Sequence, residues 1–297
     1  RFGGNRHHQR RRANLGKKTV TQSVTVVGGG FAGTEAAWQA AERGAQVVLY
    51  EMRPQKSTPA HKTGDLAELV CSNSLKADSI TTASGLLKAE LRSLDSLVLR
   101  VADAFRVPAG QALAVDRKAF AREITRLIES HPRIHLIREE VRSIPPKDPV
   151  IIATGPLTST SFTKSLTGVT GENHLYFYDA ISPIVDGETI NYDAAFFASR
   201  YGKGEKDSYL NLGLSKTIYV EFCQNLIDAE KVPLHAFEEA KYFEGCLPIE
   251  VLAARGEKTM AYGPLKPVGL KHPKNGSCFH AVVQLRRENT SGSAYNM

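Results

Sequence analysis

Three glycines, Gly28, Gly30 and Gly33, stand in G-x-G-x-x-G spacing directly after the apolar run Val24-Thr-Val-Val27. The first glycine permits a tight turn, and the second lets a pyrophosphate approach the backbone. The third lets the following helix pack close on the strand. That helix is expected over Phe31 to Arg43 and is rich in alanine (Ala32, Ala36, Ala37, Ala40, Ala41). Its N-terminus offers unpaired N–H groups and a partial positive charge to an anion. Gly44 ends it, and a second strand, Val47-Val-Leu-Tyr50, runs into Glu51. An acid at that position is placed to accept hydrogen bonds from an adenosine ribose. It argues against a 2′-phosphate, so this unit alone reads as a site for FAD or NAD rather than NADP.

Two further stretches carry chemistry. Val150-Ile-Ile-Ala-Thr154-Gly155-Pro156 reads as a buried strand ending in small residues, where a cofactor can lie against the backbone. Cys71 is followed by Ser72, Asn73 and Ser74, residues favoured at helix caps. A helix N-terminus there would make the thiolate more available; the competing reading is a buried, inert cysteine.

The elements that must position these residues follow from periodicity. Residues 84–104 are expected to be helical, with Leu86, Leu87, Leu91, Leu94, Leu97 and Val98 forming a core stripe. Asp116 should cap a helix with Phe120, Ile124, Leu127 and Ile128 on one face, ending before Pro132. Ile134-His-Leu-Ile137 reads as a strand. A helix is expected from about Thr217 to Glu230. The last stretch alternates Gly/Pro turns with strands at Tyr262–Pro267, Val268–Leu270 and Ala281–Leu285, and has no closing element.

Bulk properties bound the class. The chain has 297 residues and 42% hydrophobic content, enough for one large domain or two ordinary ones. No apolar run approaches the roughly 20 residues of a membrane span, and no signal-peptide pattern is present, so a cytoplasmic protein is expected. The four cysteines, Cys71, Cys223, Cys246 and Cys278, show no metal-ligand spacing, and no metal is expected. The net charge of +7 is concentrated at the ends. Residues 1–18 carry seven Lys/Arg and no acid, and are read as a disordered basic arm or processing remnant. Residues 251–297 hold seven basic and two acidic side chains, a basic face that could meet RNA. A change of texture places a domain boundary near residue 188.

The order of motifs resembles the folate- and FAD-dependent tRNA (uracil-5-)-methyltransferase family. The resemblance is carried by Gly28–Trp38, Tyr50-Glu-Met-Arg-Pro54, Thr58-Pro-Ala-His61 and Glu68-Leu-Val-Cys71-Ser-Asn-Ser-Leu75. It continues through Val107–Gly110, Ala114–Arg117, Ala153–Thr158, Phe177–Ala180 and Ser199–Gly204. Phe243-Glu-Gly-Cys246-Leu-Pro-Ile249, Gly263–Leu270 and Ala281–Leu285 complete it. It implies an α/β fold: a doubly wound, Rossmann-like FAD-binding domain, residues 19–188, with a smaller α/β insertion domain, residues 189–297. Family members run well beyond this length, so a C-terminally truncated chain is expected, its FAD domain incomplete. Lys62 stands where members often have a second histidine.

The implied reaction transfers a one-carbon unit from 5,10-methylenetetrahydrofolate to C5 of a T-loop uracil, with reduction to methyl by flavin and NAD(P)H. Cofactor contacts are implied for Gly28, Gly29, Gly30, Phe31, Ala32, Gly33, Glu51, Arg53, Thr154 and Gly155. The catalytic thiols implied are Cys71, on the flavin side, and Cys246, in the insertion domain; which one attacks uracil C6 stays open. Cys223 and Cys278 match no motif and read as structural. tRNA is the implied partner, with no membrane and no stable protein partner. The alternatives are a generic FAD/NAD oxidoreductase, a flavoprotein acting on another tRNA base, or an inactive remnant.

Overall fold

The computed structural model describes residues 22–146, 149–171, 183–202, 208–230 and 247–297. The basic arm at 1–18, the aromatic cluster at 176–178 and the Cys246 motif therefore lie outside the described residues.

A four-stranded parallel sheet organises the first unit. Its strands are β1 (Ser23–Val27), β2 (Gln46–Tyr50), β6 (Ile134–Ile137) and β7 (Val150–Ile152), in the spatial order β6-β2-β1-β7. Taken as successive parallel strands, that order is 3-2-1-4, the doubly wound arrangement. Chain order reverses between β1 and β7, and ligands of such sheets lie in the crevice beyond the strands' carboxyl ends at that point. Helices α1 (Phe31–Glu42) and α4 (Arg117–Ser130) pack on the sheet, burying Ala37, Trp38, Phe120, Ile124 and Ile128 with Val26, Val47 and Leu49. The Asp116 carboxylate caps α4 by accepting from the Ala119 N–H at 3.1 Å, as expected.

The stripe over 84–104 divides into two helices, α2 (Ala83–Ser93) and α3 (Leu97–Ala104). Asp95 turns the chain at φ 58°. The Glu35 carboxylate then caps α3, accepting from Ser96 Oγ at 2.9 Å, Leu97 N at 3.2 Å and Val98 N at 2.9 Å. The core takes Leu97, Leu99, Val101 and Ala102, with Leu91 and Val98 packed against it; Leu86, Leu87 and Leu94 are exposed.

A small antiparallel sheet, order β3-β5-β4, lies beside this unit: β3 (Ser74–Ala77), β4 (Arg106–Val107) and β5 (Ala112–Val115). Its first strand begins within Cys71-Ser-Asn-Ser74. No helix starts there, so the expected helix N-terminus behind Cys71 is corrected to an irregular segment entering a strand. Helix α5 (Thr160–Thr170) follows β7 and is capped by Ser159.

A five-stranded antiparallel sheet forms the second unit. It comprises β8 (Ile184–Asp186), β9 (Ala195–Phe197), β10 (Leu210–Leu214), β11 (Ala281–Arg287) and β12 (Ala294–Asn296), in the order β8-β12-β11-β10-β9. Strand β8 belongs to this sheet although it precedes residue 188. Helices α6 (Lys216–Asp228), α7 (Ile249–Ala254) and α8 (Glu257–Tyr262) cover it. Their shared core holds Leu210, Tyr219, Met260, Ala281, Val283 and Tyr295. Two expectations are corrected here. The expected strands at Tyr262–Pro267 and Val268–Leu270 are instead the end of α8 followed by turns, and the strand at 281 continues to Arg287 and pairs with β12. Among the described residues no helix is long and apolar enough to cross a membrane.

Candidate functional site

Strand β1 ends at Val27, and the Gly28 N–H donates to the Tyr50 carbonyl at 2.8 Å, binding the turn to the neighbouring strand. Gly28 has φ +106°, and a Cβ there would lie 2.5 Å from the Ala153 carbonyl oxygen. At Gly33 a Cβ would lie 1.7 Å from the Gly28 carbonyl oxygen, so helix and turn touch backbone to backbone. Gly30 differs. A Cβ built on it meets nothing within 4 Å, because it faces a cavity of about 280 Å³. No side chain caps α1 at Gly30, which leaves the first-turn N–H groups available to a ligand.

That cavity lies at the carboxyl ends of the strands. Gly28 to Ala32 form its floor, Glu51 to Arg53 one flank, and Ala153, Thr154 and Gly155 the other. Glu51 is buried, and its carboxylate is fixed by three donors. Oε2 accepts from the Gly29 N–H at 2.8 Å; Oε1 accepts from Arg53 N and Nε, both at 2.9 Å. Burial pushes the Glu51 pKa up, but the Arg53 hydrogen bonds and charge outweigh it and hold the carboxyl below its ordinary value. A carboxylate oxygen can accept two bonds. Oε1 is filled, while Oε2 retains one acceptor direction, enough for a ribose hydroxyl.

Arg53 lines the cavity, yet its guanidinium also braces the walls. Its Nη1 donates to Glu68 Oε2 at 3.0 Å and to the Thr63 carbonyl at 3.3 Å. On the far flank Gly155 adopts φ +65°, and Thr158 Oγ1 donates to Thr154 Oγ1 at 2.6 Å. The residues present thus fit a dinucleotide: an open position at Gly30 beside a helix N-terminus for the pyrophosphate, and a fixed acid for the ribose.

Several lining residues were not singled out as cofactor contacts from sequence. Thr58 and His61 reach the cavity, and Thr58 Oγ1 lies 2.7 Å from His61 Nδ1. Burial, with the charge of Arg53, pushes the His61 pKa down against the pull of Glu68 and Glu51, favouring a neutral imidazole. Glu139, Glu140 and Val141 also line it. They follow β6, so the rule that ligands lie beyond strand ends was the signal for them. Lys62 is exposed, and its backbone N–H donates to Glu68 Oε1 at 3.0 Å.

Val70 lines the cavity, and the next residue, Cys71, is exposed. The structure thus sets Cys71 next along the chain to the wall that holds the glycine turn; Cys246 lies outside the described residues. Cys223 is buried on α6, whereas Cys278 is exposed on the segment before β11, which corrects the structural reading for that thiol. The basic face is also corrected in part. Lys266, Lys271 and Lys274 are exposed, but Arg286 is drawn inward, donating to Asn73 Oδ1 at 2.9 Å and Ser72 Oγ at 3.0 Å.

Comparison with known proteins adds the following. A methylenetetrahydrofolate–tRNA-(uracil-5-)-methyltransferase TrmFO of Natranaerobius thermophilus is 58% identical over 274 residues, 92% of this chain and 63% of that protein. A protein of the same name from Moorella thermoacetica is 56% identical over 278 residues, 94% of this chain and 63% of its own length. The chain therefore spans less than two thirds of these curated relatives. The solved structure of Aquifex aeolicus GidA aligns with a TM-score of 0.53 and 14% identity, over 94% of this chain and 50% of that one, a likeness of fold alone. The family model described as glucose inhibited division protein A matches residues 23–297, from β1 through the second sheet, and the chain belongs to that family.

Proposed function

We propose that this chain is part of a flavoprotein that methylates C5 of a T-loop uracil in tRNA with a one-carbon unit from 5,10-methylenetetrahydrofolate. The observation that carries the reading is 58% identity, over 92% of the chain, to a protein of that name. The parallel-sheet unit that begins with β1 is the cofactor-binding part, and the antiparallel-sheet unit, which takes in β8 just before residue 188 and runs to residue 297, is the insertion. FAD, when bound, supplies the hydride that reduces the transferred carbon to methyl, with NAD(P)H as the electron source.

The chain's own residues do the rest. Gly30, Phe31, Ala32 and Gly33 hold the pyrophosphate at the N-terminus of α1, and Glu51 accepts from the ribose. Gly28 and Gly29, whose N–H groups bond Tyr50 and Glu51, shape the turn that lets the pyrophosphate approach. Arg53 keeps the Glu51 carboxylate charged and aimed, while Thr154 and Gly155 form the opposite wall. Uracil C5 becomes nucleophilic once one thiolate adds at C6, and that thiolate is supplied by either Cys71 or Cys246. The enzyme works on tRNA in the cytoplasm, without a stable protein partner.

The test is a visible spectrum of the full-length protein followed by a tRNA transcript assay with labelled methylenetetrahydrofolate and either NADPH or NADH. A yellow protein that places label in the T-loop uracil is the expected result. Bound flavin with no label in tRNA would replace this reading with a generic oxidoreductase. Absence of flavin would leave only a binding remnant.

A further inference from the structure

The segment from residue 69 to 73 is fastened on both sides of Cys71 by arginines that are distant in sequence. Arg117, at the start of α4, donates through Nη1 to the Leu69 carbonyl at 3.1 Å, and its Nε pairs with Glu288 Oε1 at 2.5 Å. Arg286, on β11 of the second sheet, donates through Nε to Asn73 Oδ1 at 2.9 Å and through Nη2 to Ser72 Oγ at 3.0 Å. A third bond, from Nη2 to Asn296 Oδ1 at 3.2 Å, fixes the guanidinium on its own sheet. Asn73 is fully buried and completes the connection, its Nδ2 donating to the carbonyls of Val115 at 3.1 Å and Arg287 at 2.9 Å. Each hydrogen-bonding atom of the Asn73 amide is thus engaged by a different strand or side chain. Between the two anchors Val70 faces the cavity and Cys71 faces solvent.

A fold that needed only to join its two units could do so with apolar contacts. Here the junction is polar, and its cation ends on the side chain next to the cysteine. A guanidinium stays charged across the accessible pH range, and its planar fork holds two acceptors in a set geometry.

We propose that Arg286 is a positioning residue for Cys71: from the second sheet it holds the Cys71 loop at the cavity rim and keeps a fixed positive charge one residue from the sulfur. Its use in the reaction rests on the reading under which Cys71 takes part in uracil methylation. The positioning itself does not, and it is measured without tRNA or folate. Docking of the second unit is then what completes the thiol's surroundings, so the two units must be assembled before the thiol is in its working environment.

The test uses the full-length protein and two alkylating reagents of similar size, anionic iodoacetate and neutral iodoacetamide. Rates are read on the Cys71 peptide by mass spectrometry, which separates it from Cys223, Cys246 and Cys278. A nearby cation favours the anionic reagent, so the ratio of the two rates reports the charge, whereas a general loosening of the loop moves both rates together. In Arg286→Ala the ratio is expected to fall about three- to fivefold, the scale of one charge acting across several ångströms of partly aqueous medium. Arg286→Lys, which restores the charge, should recover most of it. Arg286→Gln is the second neutral variant, keeping an N–H donor for Asn73 should the alanine protein fail to fold. An unchanged ratio in a folded neutral variant, or a ratio that lysine does not recover, overturns the proposal. If the protein places no label in tRNA while the ratio still responds to Arg286, the methylation reading fails and the positioning role stands.

Discussion

The glycine turn and the Cys71 loop border the same cavity but are built in opposite ways. In the turn, most constraints come from nearby chain: Gly33 against Gly28, and the Gly29 N–H on Glu51, 22 residues on, with the Ala153 carbonyl beside Gly28 the distant exception. The Cys71 loop takes its shape from elsewhere. Asn73 is held by partners 42, 213 and 214 residues away, on β5 and β11. A site made of local geometry forms with its own βαβ unit. A site made of remote hydrogen bonds exists only once the second sheet has docked. The first should respond to backbone crowding, and the second to loss of single polar groups.

The largest effect is expected for Gly33→Val. Its new side chain meets the Gly28 carbonyl, which has no room to move without breaking the turn. A loss of about 3 kcal/mol or more is expected in urea unfolding. A wild-type midpoint would mean that helix and turn are not in contact.

Asn73→Ala comes next. It removes the partners of the Arg286 Nε donor, the buried Val115 carbonyl and the part-buried Arg287 carbonyl, a cost of about 2–3 kcal/mol by the same measurement. Retention of full stability would show that the loop is held by something other than this amide, and the contrast between the two regions would lose its basis.

Replacing Lys266, Lys271 and Lys274 together with Gln should leave the fold unchanged. The slope of log tRNA affinity against log salt should become shallower by about two, as expected for roughly three lost phosphate contacts. An unaltered slope would mark these lysines as a solvated face. Arg286 and Arg287 are left out of this set because both are partly buried, Arg286 on Asn73 and Arg287 over the Phe197 ring.

The smallest effect concerns pH. The Glu51 pKa is lower in the folded chain than its ordinary value of 4.5. The stability it contributes is therefore fully present above pH 4.5 and is lost as pH falls through the folded value. Glu51→Gln should flatten the acid limb of the stability curve below about pH 4.5. An acid limb as steep as in the parent protein would show that the Arg53 contact does not hold the carboxylate charged.

What was legible in the sequence follows the same division. The order of β1, α1, β2, the Asp116 cap, β6 and β7 was read from apolar patterns and short spacings, because their causes lie within a few residues, but β7, expected to be buried, has Ile151 and Ile152 exposed. The break at Asp95 was not legible. It is fixed by the Glu35 carboxylate, some 60 residues earlier, which caps α3 and leaves Leu86, Leu87 and Leu94 at the surface. Cys71-Ser-Asn-Ser74 has the composition of a helix cap, but the Asn73 side chain bonds β5 and β11 instead of a following helix turn. Helices α7 and α8 are six residues each, too short for an apolar stripe to show. Arg286 looked like one more surface cation because nothing in its neighbourhood announces a partner more than 200 residues away.

The most direct test of the account is the flavin content of Gly30→Val in the full-length protein. Nothing in the fold crowds that position, so its side chain enters only the space assigned to the pyrophosphate. The predicted result is loss of the flavin absorbance with an unfolding midpoint matching that of the flavin-free parent. Undiminished flavin in a folded Gly30→Val protein would contradict the assignment of this cavity and of the site built around it.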